Sequence, residues 1–241
     1  MKLSILMPAY NEAGTLAVAI KRVLDVDYPC EVELVVVDDG STDGSAEIIE
    51  AVDDRRLVTT RHRQNLGKGA ALRTAAGLAT GDYVVICDAD LEYSPTELPA
   101  LVTPVLDGES DVVFGTRTFG SHTAYSFWYV LGNWAVTMFA NVLYNAWLSD
   151  VETCFKLMPL ALYRELDLVQ RGFGVEAEIT GKLLRRGIRP FEVPITYRAR
   201  SREEGKKLTW RDGAEALWIL ARIRFLSHPP RQAGPGSSAA A

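Results

Sequence analysis

Cysteine is scarce, with three in 241 residues. Cys30, Cys87 and Cys154 lie far apart, two of them inside apolar runs. This excludes a disulfide framework and a thiolate metal site, and fits reduced, buried thiols in a cytosolic compartment. Positive charge is not in excess either. The formal charge of −5 argues against a general nucleic-acid binder. No Gly-x-Gly-x-x-Gly follows the first apolar run, which argues against a Rossmann dehydrogenase, and no Walker A sequence occurs. No internal repeat is visible. The N-terminal apolar run is too short for a signal peptide and stops at Pro8. Residues 118–149 lack Lys, Arg, Asp and Glu altogether.

What is present is an alternation of apolar runs and helical patterns. The length suits one large α/β domain or a domain with an appendage, and 48% hydrophobic residues suffice for a sizeable core. Strands are predicted at Leu3–Met7, Glu33–Val37, Leu57–Thr60, Tyr83–Cys87 and Asp111–Gly115. Helices are predicted at Glu12–Leu24, from a cap at Thr42 or Asp43 to Ala51, at Gly69–Ala79 and at Thr96–Val105. This order predicts a mostly parallel sheet with helices on both faces. Ligands of such sheets sit at the carboxyl ends of the strands. Pro8-Ala9-Tyr10, Asp38-Asp39-Gly40 and Asp88-Ala89-Asp90 all fall there.

Asp88-Ala89-Asp90 carries the most chemistry. Alternation along an extended chain points both carboxylates to one side. Like charges that close repel unless a cation lies between them, and hard oxygen ligands suit Mg²⁺ or Mn²⁺ carrying a diphosphate. A polar strand end capping the next turn is the plainer alternative.

These strand ends, taken in order, resemble a known family. Pro8-Ala9-Tyr10-Asn11-Glu12, Asp38-Asp39-Gly40-Ser41-Thr42-Asp43-Gly44, Asn65-x-Gly67-Lys68-Gly69 and Asp88-Ala89-Asp90 together resemble family 2 glycosyltransferases with a GT-A fold. Gly115-Thr116-Arg117, Asp150 to Lys156 and Arg200 to Leu208 narrow the likeness to polyprenyl-phosphate glycosyltransferases, the dolichol-phosphate mannose synthase type. The resemblance implies hexose transfer from a nucleotide sugar, GDP-mannose or UDP-glucose, to a polyprenyl phosphate. It implies that Pro8, Tyr10, Glu12, Asp39, Gly40, Lys68, Asp88, Ala89 and Asp90 line the nucleotide-sugar site. Asp39 would accept a hydrogen bond from the base, and Gly40 would let the ligand approach the backbone. Asp88 and Asp90 would hold the metal, with Glu92 as a third carboxylate.

Charge informs the acceptor side. Asn133, Thr137, Asn141 and Asn145 form a polar stripe along the uncharged stretch 118–149, which also holds Trp128, Trp134 and Trp147. A spanning helix needs about 20 apolar residues. The stripe and Gly132 instead favour one or two interfacial helices, a buried helical pair being the alternative. Residues 198–211 form a basic segment read as a mobile loop over phosphate. Arg200, Arg202 and Lys206, with Arg117, are the candidate acceptor-phosphate residues.

A phosphate acceptor is already anionic at neutral pH and needs no base, whereas a hydroxyl acceptor does. Asp150 would therefore orient the acceptor or a basic side chain. Asp150 or Glu152 would serve as base only under a hydroxyl-acceptor reading. A third reading is a non-catalytic nucleotide-sugar-binding protein. Leu208–Phe225 reads as an amphipathic helix, and Ser227–Ala241 as a disordered tail. The chain thus divides into a nucleotide-sugar half (1–117), interface helices (118–149), an acceptor half (150–226) and a tail (227–241). Contact with the cytosolic face of a membrane would be peripheral or through a separate membrane subunit.

Overall fold

The computed structural model describes residues 1–122, 126–199 and 209–226. The elements run β1 (Lys2–Ala9), α1 (Leu16–Leu24), β2 (Glu31–Asp38), α2 (Ser45–Glu50), β3 (Leu57–Arg61), α3 (Lys68–Leu78) and β4 (Tyr83–Ile86). They continue with α4 (Leu98–Leu106), β5 (Val113–Thr116), α5 (Phe127–Tyr144), β6 (Lys156–Pro159), α6 (Leu160–Glu165), α7 (Val175–Arg185), β7 (Phe191–Pro194) and α8 (Trp210–Phe225). The strands form one seven-stranded sheet in the order β3-β2-β1-β4-β6-β5-β7. All pairings are parallel except those of β6, which runs antiparallel to both β4 and β5. β1 and β2 read as continuous apolar runs because Ile5, Leu6, Met7, Val35, Val36 and Val37 are buried on both faces.

A second, smaller core lies where α5, α7 and α8 meet. Val136 and Ala140 from α5, Ala177 and Leu184 from α7, and Ile219, Leu220 and Ile223 from α8 fill it. The Tyr144 hydroxyl crosses the seam to donate to the Leu220 carbonyl at 2.8 Å. Thr209 and Asp212 close a capping box at the start of α8.

The predicted boundaries shift for local reasons. α1 begins at Leu16 rather than Glu12, because the Glu12 carbonyl accepts from Thr15 and Leu16 and closes a turn first. The N-cap of α2 is Gly44, at φ +91°, rather than Thr42 or Asp43. Asp43 still serves the helix start, accepting from the Ser45 amide and hydroxyl at 3.1 and 2.6 Å. Of the one or two helices expected in the uncharged stretch, its described part forms one, α5. Among the described residues no helix is long and apolar enough to cross a membrane. Arg200, Arg202, Lys206 and the tail 227–241 lie outside the described residues.

Candidate active site

The ends of β1, β2 and β4 lie side by side at one edge of the sheet, as the parallel pairings require. The Asp39 amide donates to the Ala9 carbonyl at 2.8 Å, joining the first two strand ends. Asn11, in a left-handed turn at φ 53°, ties the Pro8–Glu12 segment to the next loop. Its amide donates to the Ser41 hydroxyl and its side-chain carbonyl accepts from the Thr42 amide, each at 2.9 Å. Tyr10 and Glu12 are half-buried on this rim.

Asp39 is only 2% exposed. Its Oδ1 meets His62 Nδ1 at 2.6 Å and accepts from the Leu66 amide at 3.0 Å, while Oδ2 accepts from the Gly67 amide at 2.8 Å. Asp39 thus fixes the turn that precedes Lys68, a duty the sequence did not indicate. Gly40 is explained by the same turn. At φ +77°, a Cβ there would lie 2.5 Å from the Gln64 backbone. The close approach observed is that of a neighbouring loop.

Lys68 opens α3 and reaches two carboxylates. Its Nζ lies 2.6 Å from Asp88 Oδ2 and 2.6 Å from Glu176 Oε1. Burial disfavours the ammonium, but Asp88 and Glu176 outweigh it and raise the Lys68 pKa well above the lysine range. Asp88 Oδ1 is buried without a hydrogen-bond partner. Asp90 Oδ1 accepts from the Glu92 amide at 3.0 Å, and Ala89 between them is buried.

Asp88 and Asp90 suit a hard cation. One buried carboxylate oxygen lacks a partner, and Mg²⁺ in phosphate sites typically takes one or two carboxylates, with phosphate oxygens and water completing the shell. Glu92 does not join them as a third carboxylate. Its Oε2 accepts from the Tyr197 hydroxyl at 2.7 Å, and no group of three His, Cys, Asp or Glu arranged for a metal occurs among the described residues.

The other side of the site is built around Asp150, which is fully buried. Arg117, just after β5, donates through Nε to Asp150 Oδ2 at 2.6 Å and through Nη2 to Oδ1 at 2.7 Å. The guanidinium also stacks 5.0 Å from the centre of the Tyr197 ring. Burial pushes the Asp150 carboxyl up, but the Arg117 charge and hydrogen bonds prevail and hold it below the usual aspartate range. Arg117 therefore meets a carboxylate from its own chain.

The polar stripe of α5 points inward onto this loop. Asn133 donates to Asp150 Oδ1 at 3.2 Å, the Thr137 hydroxyl accepts from the Val151 amide at 3.2 Å, and Asn141 makes two 2.8 Å bonds to the Leu148 backbone. Asn145 instead ends the helix in a left-handed turn. The opposite face leaves Phe127, Trp128 and Trp134 exposed, with Trp147 just beyond the helix.

Between the two sides lie groups that the sequence pattern did not single out. Glu176, in the first turn of α7, and Lys156, at the start of β6, are both buried. Lys156 Nζ donates to the carbonyls of Val151 and Thr153 at 2.9 and 2.6 Å. Burial and the nearby Glu176 raise the Glu152 carboxyl, while burial lowers the Lys156 ammonium against the pull of Glu176 and Glu152. Nothing in the local pattern signalled Glu176, because α7 is buried almost all round its first two turns and its two glutamates fall on opposite sides of the helix.

This geometry has relatives. The fold is similar to glucosyl-3-phosphoglycerate synthase from Mycobacterium tuberculosis, solved with Mn²⁺, UDP and glucosyl-3-phosphoglycerate. The TM-score is 0.71 at 22% identity, covering 94% of this chain and 81% of that one. The architecture is thus the GT-A fold. The low-salt glycan biosynthesis hexosyltransferase Agl6 of Haloferax volcanii is 31% identical over 231 residues, covering 94% of this chain and 54% of the relative. The undecaprenyl-phosphate 4-deoxy-4-formamido-L-arabinose transferase of Proteus mirabilis is 36% identical over 121 residues, 48% of this chain and 36% of the relative. The chain spans about half the length of Agl6. The profile described as Glycosyl transferase family 2 matches residues 4–165, a segment that contains all three strand-end motifs and Asp150, and the chain belongs to that family.

Proposed function

We propose that this protein transfers a hexose, mannose or glucose, from GDP-mannose or UDP-glucose to a polyprenyl phosphate, with inversion at the anomeric carbon. The observation that carries this reading is the Arg117–Asp150 pair. A hydroxyl acceptor needs a base, and Asp150 stands where family resemblance would put one. Gripped at both oxygens by Arg117, with its pKa held low, Asp150 is a poor proton acceptor. A phosphate monoester with a second pKa of about 6 needs none. One of its oxygens bonds to the anomeric carbon as the bond to the diphosphate breaks on the opposite face, and no proton has to move.

Pro8, Tyr10, Glu12, Asp39 and Gly40 frame the nucleotide end, and Lys68 sits beside the diphosphate position. Asp88 and Asp90 would hold Mg²⁺ or Mn²⁺, which when bound supplies Lewis-acid stabilisation to the departing diphosphate. Arg200, Arg202 and Lys206 are the proposed acceptor-phosphate residues. The exposed Phe127, Trp128, Trp134 and Trp147, with Trp210 and Trp218 on α8, fit the headgroup level of a bilayer. Arg222 lies 5.3 Å from the Trp218 ring centre and adds positive charge there. On this reading the protein works peripherally, on the cytosolic face, alone or with a separate membrane subunit.

Glu152 favours a second reading. Its raised pKa suits a base for a hydroxyl acceptor. A matrix of GDP-mannose and UDP-glucose against polyprenyl phosphate and free polyprenol, with and without Mn²⁺, separates the readings. Product from the phosphate, and not from the alcohol, is expected, with Glu152→Gln retaining most turnover. Product from the alcohol that vanishes in Glu152→Gln would replace the phosphate reading. No product from any pair would leave a nucleotide-sugar-binding protein.

A further inference from the structure

Lys68 is held between two carboxylates, and only one of them belongs to the donor crevice. Asp88 is at the end of β4; Glu176 reaches Lys68 from α7, more than a hundred residues along the chain. Each approaches Nζ to 2.6 Å; Asp88 accepts a hydrogen bond, whereas Glu176 acts through its charge, both its oxygens being buried without a hydrogen-bond partner. The joint that aims Glu176 is rigid. The Gly69 amide donates to the Arg171 carbonyl at 2.7 Å, and Arg73 donates to the Gln170 carbonyl at 2.6 Å. Gly67 and Gly69 have no room for a Cβ, because the carbonyls of Arg171 and Gln170 stand in its place. Glu178 fixes the same segment from α7, accepting from the Val169 and Gln170 amides at 3.0 and 2.8 Å. The starts of α3 and α7 are thus locked together, and Lys68 is shared across the joint.

Sharing has a consequence for Asp88. A lysine paired with Asp88 alone would neutralise it and compete directly with a cation for its oxygens. A second carboxylate in line draws the ammonium back. Glu176 is 4% exposed, so little solvent screens this pull. Asp88 Oδ1 remains buried and without a hydrogen-bond partner. We propose that Glu176 is a positioning residue for divalent-metal binding: by taking a share of Lys68, it leaves Asp88 able to ligate the cation. This rests on the reading that Asp88 and Asp90 hold the metal.

The test reads metal binding directly, with Mn²⁺ alone as the probe and free Mn²⁺ followed by electron paramagnetic resonance. It requires no sugar donor or acceptor, so its failure is separate from failure of the transfer reaction. Glu176→Gln should raise the Mn²⁺ Kd about tenfold. In a Lys68→Met background the same change should alter Kd less than twofold, because the competing ammonium is gone. Lys68→Met alone should tighten Mn²⁺ binding, an expectation that does not depend on Glu176→Gln folding. Glu176→Asp, which keeps the charge but shortens the reach, should fall between wild type and Gln. An equal Kd change from Glu176→Gln in both backgrounds, or none in either, would overturn the proposal. So would weaker Mn²⁺ binding in Lys68→Met.

Discussion

The two sides of the crevice are held by different means. On the donor side, Asp39 and Asn11 bind chiefly backbone amides, and glycines at 40, 67 and 69 let loops touch backbone to backbone. On the acceptor side, Asp150 is fixed largely by side chains: Arg117 at both oxygens, Asn133 at one, with Tyr197 stacked behind. Backbone-locked loops would present one fixed shape to the nucleotide sugar proposed above. A loop held by side chains can be retuned by single substitutions.

Four substitutions would break or sharpen this contrast. The largest effect belongs to Asp90→Ala. Losing even an outer-sphere partner of a metal ligand costs roughly 10–100-fold, so losing a ligand should reduce turnover by at least about a hundredfold. Steady-state kinetics with added Mn²⁺ would check this, and near-normal turnover would remove the metal role.

Next comes Arg117→Met, which strands a buried carboxylate. Breaking such a pair costs about 3–5 kcal/mol, visible as a fall in Tm on the order of 10 °C. The pH dependence has a definite sign. Because the folded Asp150 pKa is lowered, the pair stabilises the fold above the unfolded aspartate value of about 3.9. That stability is lost as pH falls through the lower folded value. Wild type and Arg117→Met should therefore converge in stability in acid. A gap that persists unchanged at pH 2 would assign the loss to packing.

Gly40→Ala probes the donor side. A side chain at φ +77° against the Gln64 backbone should cost roughly 1–3 kcal/mol, measured by urea unfolding, with a raised KM for the nucleotide sugar. The smallest stability change is expected from Trp128→Glu, on the exposed face of α5. It should stay within about 0.5 kcal/mol while binding to anionic vesicles falls in a sedimentation assay. Unchanged sedimentation would argue that this face meets something other than lipid.

Much of this was legible in the sequence, unevenly. β1, β2, β4 and β5 announced themselves as short apolar runs, because buried strands tolerate little else, and those of β2 and β4 ran into aspartates; β3 showed only Leu57 and Val58, its residues being at most half-buried. β6 and β7 escaped notice: β6 opens on the buried but charged Lys156, β7 carries Glu192 and is at most half-buried, and both stop at proline. α7 was hidden because Glu176, Glu178 and Thr180 are buried where apolar residues are expected, on both sides of a helix that is covered almost all round. The stripe on α5 could be counted but not oriented. Its inward direction follows from the amides of Leu148 and Val151, which need acceptors. Asp39 and Gly40 were found as site residues, yet their contacts with the 62–67 turn depend on a loop that no local pattern connects to them.

The reversal of β6 has a further meaning. The strands beside it deliver their site residues after they end, whereas β6 runs the other way and delivers Asp150 and Glu152 before it begins. All of them therefore lie at one edge of the sheet, although the chain reaches Asp88 and Arg117 after β4 and β5 and Asp150 before β6. Length added between α5 and β6 would reshape the acceptor side while leaving every donor loop in register. A single reversed strand makes the fold modular at its catalytic edge.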